Sequence, residues 1–531
     1  MYNLLVDPLI RVQLADGSAA HLSLPDVYSA LTADRVAAFP ALRPHQRHAL
    51  HAFLCQSGAI ALHRAGWRDP VESADEWRSL LRGTTPGFAD DQPWSLVVDE
   101  PGEPAFMQCP APQGLQHYRG WKRSPDDLDL LVSAKNHDIK QTTALQAAPE
   151  DWLFALIDLQ TMGGYLGAGN YPIARMNGGY SSRPCVGLAP AVGGLGAHIC
   201  FDIKRMLAGR DALLDNYPDY FRPNAGVALT WLEPWDGTDS LALRVLDPYF
   251  IEICRRIRLS SNRGSLVART APSRAPRVYA KMAGGDIGDF WTPVRTSDNK
   301  GLSLSSSGFR YDRLAKIAFD RTTFHLPPAM HVDSKRDERW RLIARGVAAG
   351  QGKTDGYHER TDIAFAPSTV SALGRTGESN TLAKAAQAQL EEVEDVMKAL
   401  RFGIAVAAGG GRDANELTRA HRIHAGPYAR RLDAEADARF FSALEDRHSA
   451  SMSSDDPAAV RGCRASFVRS LIRVAERLLD EAIETVPCPS IQRPRARARA
   501  VSAFWGRLRG SRSVFSDQPE IFDAAEADHD A

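Results

Sequence analysis

The chain has 531 residues, 44% of them hydrophobic, and its 64 basic and 64 acidic side chains cancel to a net charge of zero. This length predicts two or three domains with apolar cores, and the neutral balance argues against nucleic-acid binding through overall charge. The seven cysteines are odd in number and include no C-x-x-C pair, which argues against a cysteine zinc site and favours reduced thiols. The N-terminus does not resemble a signal peptide, and no apolar run is long enough to span a membrane. We therefore expect a cytoplasmic protein with no membrane contact.

The charge is unevenly distributed along the chain. Eight basic residues and one acid lie within residues 252–281, and seven arginines without an acid lie within residues 492–512. The segment 517–531 has six acids and no lysine or arginine. Such blocks are typical of solvated surfaces or tails, but two basic blocks in a neutral chain are also what local contact with phosphates requires.

The first part of the chain mixes short strands with helices. The sequence predicts a strand from Leu4 to Val12, followed by a turn at residues 16–18 and a second short strand. Apolar residues at helical spacing predict helices over residues 44–64 and 151–162. Further along, only short strand candidates occur, at 227–231, 240–245, 278–282 and 317–319. This mixture predicts a large irregular α/β domain.

An apolar run that starts at Asp129 stops abruptly at a polar tip formed by Lys135, Asn136, His137 and Asp138. Histidine and aspartate could belong to the metal site of a nuclease, but one of each without partners at ligand spacing is a weak signal. A polar loop that contacts phosphates or base edges fits these residue types better. A loop with no binding role is the simplest alternative.

Two glycine clusters follow, at residues 163–170 and 177–184. A dinucleotide-binding fold places its glycines between a strand and a helix, whereas here a predicted helix leads into the glycines. We therefore expect either tight turns or a close approach of the backbone to a ligand, with Asn170, Arg175, Asn177 and Arg183 as polar candidates.

The segment Gly346 to Thr354 ends in Gly-Lys-Thr, as phosphate-binding loops of NTPases do. The spacing of such a loop requires glycine at position 347, which is Val347, and the charged residues 339–345 are not typical of the buried parallel strand that precedes it. What remains is a turn of small residues that presents Gln351, an amide that can donate and accept hydrogen bonds. A surface loop without a role and an NTPase that uses Lys353 and Thr354 are the alternatives.

The last third of the chain is predicted to be helical. Apolar residues three and four apart indicate amphipathic helices around 390–404 and 467–478, and residues 430–448 and 497–509 supply two more. Four such helices joined by short links predict a four-helix bundle. The predicted fold class is therefore α+β, with an irregular α/β domain at 1–372 and a four-helix bundle with an acidic tail at 373–531.

Six segments occur in a fixed order along nearly the whole chain. They are Asn3–Asp7, Leu54–Ile60, Pro104–Gln108, the glycine loop at 163–170, the turn at 346–352 and the C-terminal helix bundle. No one of them is specific, but together they resemble the CasA family, the large subunit of the type I-E CRISPR surveillance complex called Cascade.

This resemblance implies a non-catalytic protein without a cofactor. Such a subunit recognises the protospacer-adjacent motif of double-stranded DNA from the minor groove, starts strand separation for R-loop formation and recruits a helicase-nuclease. The partners that it implies are the other Cascade subunits, the CRISPR guide RNA and the DNA target. Recognition in the minor groove mainly separates A·T from G·C pairs, so several motifs should be tolerated.

The resemblance also assigns roles to residues by matching position. It makes Gln351 the side chain that wedges the duplex open, flanked by Gly350 and Gly352, with Lys353 close behind. The loop that lies against the motif corresponds to Gly167, Ala168, Gly169 and Asn170. A loop that reaches the guide RNA and neighbouring subunits corresponds to Lys135, Asn136 and His137.

The sequence departs from the family pattern at three places. Many relatives have a four-cysteine zinc site, but only Cys254 stands in the corresponding region, so no metal is expected. Ala134 occupies a position that is aromatic in some relatives. A family lysine that touches the motif has its counterpart near Arg274, Arg277 or Lys281. A structural scaffold whose basic helix at 495–509 only docks partner proteins is a further alternative.

Overall fold

The computed structural model describes residues 2–132, 147–262, 264–332, 338–373, 375, 380–453, 457–516, 518 and 521–522. The chain forms two compact units, the first made of Met1–Phe309 and Arg321–Pro367 and the second of Arg310–Asp320 and Ser368–Ala531. The first unit mixes helices with small sheets and the second is helical, which confirms the predicted α+β class. Among the helices described, none is both long enough and apolar enough to cross a membrane.

The helices of the first unit pack on one apolar core. They are α1 (Leu24–Thr32), α2 (Arg47–Arg64), α3 (Ala74–Arg82), α4 (Pro149–Met162) and α5 (Leu195–Asn216). Helix α2 is central, since it packs on α4 and α5 and buries residues on nearly every side. Its apolar face is accordingly broader than that of a surface helix. The helices predicted at 44–64 and 151–162 are confirmed as α2 and α4, with a 3-10 turn over Pro44–Gln46 ahead of α2.

The strands are mostly short and form several small sheets. They are β1 (Ile10–Leu14), β2 (Ala19–Leu22), β3 (Val36–Ala38), β4 (Gly120–Lys122), β5 (Cys185–Pro190), β6 (Val227–Leu229), β7 (Leu241–Ala242), β8 (Leu246–Ile251), β9 (Arg256–Asn262), β10 (Ser265–Ala271), β11 (Val278–Tyr279), β12 (Val294–Arg295), β13 (Lys300–Gly301), β14 (Phe324–His325), β15 (Trp340–Gly350) and β16 (Lys353–Phe365). The three-stranded sheets have the orders β2-β1-β3, β4-β10-β9, β13-β12-β14 and β16-β15-β5, and the pairs are β11-β7 and β6-β8. The chain between these sheets runs largely in turns and loops.

Strand β15 is the middle strand of the sheet that carries the candidate site. It pairs antiparallel with β5 through residues 340–345 and with β16 along its whole length. Trp340, Leu342 and Ala344 are buried, whereas Arg341 and Arg345 alternate with them on the less buried face. The charged residues that argued against a buried parallel strand therefore occupy one face of an antiparallel strand.

Some strand predictions are wrong or too long. Residues 317–319 form the last turn of α6 (Tyr311–Phe319), because Leu314, Ile317 and Ala318 lie at helical spacing and are buried together. The first strand begins at Ile10, because the backbone amide of Asn3 donates to the Asp7 carboxylate at 2.8 Å and closes a turn before it. At 227–231, 240–245 and 278–282, two or three residues of each form strand and 3-10 turns follow.

The second unit is built on four long helices, as predicted. Its remaining helices are α7 (Pro367–Leu373), α8 (Thr381–Ala408), α9 (Arg419–Arg422), α10 (Gly426–Ser453), α11 (Pro457–Thr485) and α12 (Arg493–Leu508). Helix α8 packs on α10, α11 and α12 through apolar side chains such as Leu400 and Ile404, both fully buried. It ends at Gly409, whose amide donates to the Ala405 carbonyl at 3.0 Å. Most of the acidic segment predicted after residue 516 lies outside the described residues.

Candidate nucleic-acid interface

Gln351 lies at the tip of the β15–β16 hairpin. Gly350 pairs with Lys353, so that Gln351 and Gly352 form the turn, and all of Gln351, Gly352 and Lys353 are exposed. Gly352 has a φ of +71°, in the left-handed region that glycine adopts without strain. The turn therefore presents an amide side chain at the end of two long paired strands.

The geometry of this turn is incompatible with the NTPase alternative. Lys353 starts a strand, whereas a phosphate-binding loop leads into a helix whose N-terminal amides hold the phosphates. Thr354 is 5% exposed, and its hydroxyl donates to the Ala348 carbonyl at 3.1 Å. Neither residue is placed to bind a nucleotide with its magnesium ion.

The hairpin is braced from below by the second glycine cluster. The Val347 amide donates to the Ser182 hydroxyl at 2.7 Å, and the Ser182 amide donates to the Val347 carbonyl at 2.9 Å. Arg345 and Glu359 face each other across the two strands with 2.7 Å between their charged groups. Only the last few residues of the hairpin therefore extend beyond its supports.

The first glycine cluster forms a tight turn from Leu166 to Asn170. The Leu166 amide donates to the Asn170 carbonyl at 3.1 Å, and the Asn170 amide donates to the Gly167 carbonyl at 3.0 Å. Gly167 and Gly169 have φ values of +107° and +81°, which explains why glycine is needed at both positions. Ala168 is exposed between them, and Leu166 at the start of the turn is 47% exposed.

The structure attaches one of the three basic candidates, Arg274, to this turn. The Ser273 amide donates to the Gly169 carbonyl at 3.1 Å, and the Tyr171 hydroxyl donates to the Arg274 carbonyl at 2.9 Å. The side chain of Arg274 is exposed. A Cβ atom at Gly169 would lie 2.8 Å from the Pro272 Cβ, so this glycine is required for the contact.

The other two basic candidates differ sharply. Arg277 is 4% exposed, and its guanidinium donates to the carbonyls of Thr230, Glu233 and Pro234 at 2.6, 2.8 and 3.2 Å. The guanidinium is thus held inside the protein, which removes Arg277 from the candidate DNA contacts. Lys281 is exposed on a short 3-10 turn, Lys281–Ala283.

A buried ion-pair cluster supports both glycine-rich turns. Arg183, 1% exposed, donates from Nε to Asp289 at 2.9 Å, and Arg175 contacts Glu252 at 3.0 Å and Asp289 at 3.2 Å. Burial disfavours ionisation of Asp289, but the charges of Arg183 and Arg175 outweigh it and lower its pKa. Acidic partners in the interior therefore hold both Arg175 and Arg183, and neither of these polar candidates is free to face a ligand.

The glycine turn at 166–170 and the β15–β16 hairpin both contact the segment that follows Gly178. The Tyr165 amide donates to the Gly179 carbonyl at 2.9 Å, and Ser182 binds Val347 as described above. One short segment thus connects the base of the glycine turn to the base of the hairpin. The sequence pattern did not single out Ser182, which stands three residues after the pair Gly178 and Gly179.

Lys135, Asn136, His137 and Ala134 lie outside the described residues, but the chain that leads to them is described. Asp129 is 1% exposed and accepts hydrogen bonds from His45 at 2.7 Å and Arg43 at 3.0 Å. Its other oxygen accepts from the amides of Leu131 and Val132 at 2.9 and 3.0 Å. Burial opposes ionisation of Asp129, yet the hydrogen bond and charge of His45 prevail and lower its pKa to about 2.

Comparison with known proteins bears on the fold as a whole. No protein-family model and no curated protein sequence matches the chain. Among solved structures, it resembles Cse1 from Acidimicrobium ferrooxidans, a CRISPR-associated protein, with a TM-score of 0.62 and 14% identity over 96% of this chain and 97% of that one. It also resembles CasA (Cse1) from Thermus thermophilus (TM-score 0.61, 15% identity, 96% and 99% covered) and Cse1 from Thermobifida fusca (TM-score 0.62, 16% identity, 96% and 97% covered). The chain therefore has the Cse1/CasA fold from end to end, and these proteins are its structural neighbours.

Proposed function

We propose that this chain is the non-catalytic large subunit of a cytoplasmic type I-E Cascade complex and recognises the protospacer-adjacent motif of duplex DNA. The observation that carries the proposal is the exposed Gln351 at the tip of a hairpin that is braced up to Val347. The shared Cse1/CasA fold supports it, since the same order of elements extends over 96% of the chain.

Gln351 is the wedge in this proposal. Separating one base step costs a few kcal/mol, and proteins that do so insert a side chain while they hold the backbone. A side chain on a paired two-stranded hairpin can resist this load better than one on an unpaired loop. Lys353 adds a positive charge beside the wedge, and its amine is 3.9 Å from the one acidic partner found for it among the described residues, Asp355.

The glycine turn and two basic residues complete the proposed interface. Gly167, Ala168, Gly169 and Asn170 have small side chains, which suits entry into the narrow minor groove, and Leu166 is exposed beside them. Arg274, attached to this turn, and Lys281 supply charges for phosphates. Lys135, Asn136 and His137 are proposed to contact guide RNA or a neighbouring subunit, and the bound complex is proposed to recruit a helicase-nuclease.

The scaffold alternative rests on α12, but part of its positive charge is used within the second unit. Arg497 lies 3.4 Å from Glu484, and Arg499 is paired with Asp413. Arg495 and Arg507 have no acidic partner among the described residues. The experiment below separates this alternative from motif recognition.

The test uses a guide-RNA complex that lacks this chain. Purified protein is added back, and affinity is measured for duplexes with a permissive or a scrambled flanking motif. We expect tight binding to the permissive duplex alone; equal binding to both would make the chain a clamp or scaffold.

Gln351→Ala should weaken binding to the permissive duplex and leave binding to a single-stranded target unchanged. Gln387→Ala is the matched control, since Gln387 is an exposed glutamine on α8 in the second unit. Equal loss on duplex and single strand would remove the wedge role from Gln351.

A further inference from the structure

Two packed helices of the first unit each carry potential metal ligands one turn apart. Helix α2 has His51 and Cys55, and helix α5 has His198 and Asp202. Residues four apart lie on the same face of a helix, and α2 packs against α5. His51 and His198 are 147 positions apart in the sequence, so no local pattern reveals this pair. The expectation of no metal rested only on the cysteines and on the polar tip at residues 135–138.

The candidate ligand atoms are already about as far apart as ligands that share one metal ion. The Nε2 atom of His51 is 2.9 Å from Oδ2 of Asp202, and Nε2 of His198 is 3.6 Å from the same oxygen. One ligand atom from each of the three residues lies within 4.8 Å of the other two. Zinc bonds to nitrogen and oxygen of about 2.1 Å place tetrahedral ligands roughly 3.4 Å apart, so little side-chain movement is needed.

We propose that His51, His198 and Asp202 bind one divalent transition-metal ion, with zinc as the best match to two imidazoles and one carboxylate. The ion would tie α2 to α5 in the interior of the first unit. This inference is independent of the proposed role in DNA recognition.

A fourth ligand can be a water molecule. A cavity of about 20 Å³ is lined by His51, His198 and Cys185. This volume is sufficient for one water molecule, which needs about 10–15 Å³. Cys55 is close to His51, with 3.6 Å between Sγ and Nε2, but it lies outside the set in which all ligand atoms are mutually close. We therefore assign three protein ligands and one open position.

The surroundings hold the carboxylate in place. Trp291 donates from Nε1 to Oδ2 of Asp202 at 3.1 Å, the type of outer hydrogen bond that orients a metal-binding carboxylate. Arg205 is 3.6 Å from the other carboxylate oxygen and is also held over the Phe201 ring at 4.7 Å. Arg345 lines the cavity, but Glu359 compensates its charge at 2.7 Å.

The proposed ion would lie close to the sheet that carries Gln351. Cys185 begins β5 and Arg345 lies on β15, so the cavity reaches the base of the sheet that carries Gln351. A metal that joins α2 to α5 here would stiffen the support of the hairpin without contacting its tip. Metal binding coupled to folding then predicts greater thermal stability of the loaded protein.

The test uses the full chain after treatment with a chelator. We expect one equivalent of Zn²⁺ by calorimetry, a rise in Tm on loading, and a four-coordinate visible absorption spectrum with Co²⁺. His198→Gln should weaken Zn²⁺ binding more than about 100-fold, the upper range for loss of an outer partner, and should abolish the rise in Tm.

The matched control is His63→Gln, which changes a partly buried histidine at the other end of α2. It should leave the stoichiometry and the rise in Tm unchanged. Circular dichroism in chelator establishes that each variant is folded, and Asp202→Asn provides a second variant that keeps the size of the side chain. No saturable binding by the native chain, an octahedral Co²⁺ spectrum, or equal weakening by His63→Gln would overturn the proposal.

Discussion

The two units of this chain satisfy their buried polar groups in different ways. In the first unit, long stretches run as loops, and buried arginines donate to the carbonyl groups of those loops. Arg258, 2% exposed, donates to the carbonyls of Glu103, Glu100 and Val98 at 2.8, 2.9 and 3.1 Å. Arg277 does the same for residues 230–234.

In the second unit, the helices satisfy their own backbone and pack through apolar side chains. A buried ionic cluster joins three of them, in which Glu392 accepts from Arg447 at 2.8 Å and from Arg464 at 2.7 Å. The remaining contacts of the bundle core are largely those of leucine, isoleucine, valine and phenylalanine.

This difference changes how the basic block at 252–281 is understood. Arg255, Arg256, Arg258 and Arg277 are buried, whereas Arg274 and Lys281 are exposed. Half of the basic residues in the block therefore stabilise the fold of an irregular unit. A count of positive charges in the sequence overstates the surface that is available to phosphates.

The largest effect should come from breaking the buried ion pair of the first unit. Arg183→Met leaves the charge of Asp289 without its closest partner, and removal of one member of a buried pair costs about 3–5 kcal/mol. Urea unfolding followed by tryptophan fluorescence measures this loss. Arg295→Met is the control, because the pair of Arg295 with Asp298 is largely exposed (43% and 34% for the two side chains) and should change stability by less than about 1 kcal/mol. Similar losses of stability for both variants would refute the claim that the buried ion pair matters more than the exposed one.

The bundle should respond instead to loss of apolar volume. Leu400 is fully buried in the C-terminal half of α8, and Leu400→Ala should reduce stability by about 3 kcal/mol through lost burial and a cavity. Urea unfolding followed by helical circular dichroism reports the change. Leu390→Ala, on the same helix but only partly buried, should have less than half this effect. Equal effects would show that α8 does not bury one face preferentially.

The bundle was predictable because its signal is local. Apolar residues such as Val393, Met397 and Leu400 repeat at helical spacing, and packing required no information from elsewhere in the chain. The hairpin tip was predictable for a similar reason, since glycine on each side of Gln351 indicates a turn. Strand β15 was harder, because Arg341 and Arg345 obscured the alternation of Trp340 with Leu342.

The interior of the first unit could not be predicted, because its contacts join distant segments. Arg274 and Arg277 are three positions apart in equally basic sequence. Arg277 differs because the fold brings the carbonyls of Thr230, Glu233 and Pro234 close to its guanidinium, which donates hydrogen bonds to them. The pairing of His51 with Asp202 depends in the same way on the packing of α2 against α5.

Arg277 and Arg274 therefore allow a direct test of whether buried arginines stabilise the fold while exposed ones contact phosphates. Arg277→Ala should lower stability by about 2 kcal/mol, because three carbonyls, one of them the buried carbonyl of Thr230, lose a charged donor. Arg274→Ala should leave stability within about 0.5 kcal/mol, but it should make the slope of log affinity for duplex DNA against log salt less steep by about one unit. Urea unfolding and salt titrations measure the two effects. An unchanged salt slope for Arg274→Ala would remove this residue from the proposed interface.

The last expected effect is gradual, a pH-dependent gain from a buried carboxyl group of the first unit. Asp158 on α4 is 0% exposed, and neither of its oxygens has a hydrogen-bond partner among the residues that the structure describes. Burial raises its pKa from 3.8 to about 8, against the opposing charge of His45. Between these two values the unfolded chain releases a proton that the folded chain keeps. Stability from this group is therefore complete below pH 3.8 and is lost as pH rises through 8.

Asp158→Asn cannot ionise, so the variant should be more stable than the native chain by an amount that increases from pH 5 to pH 8. The gain should rise by up to about 1.4 kcal/mol for each pH unit in this interval. Urea unfolding at pH 5, 6.5 and 8 measures the difference. Asp211→Asn, an exposed position on α5, should show no such trend. A difference that is constant with pH would mean that Asp158 is ionised in the folded protein, and that the first unit solvates this carboxylate as it solvates its arginines.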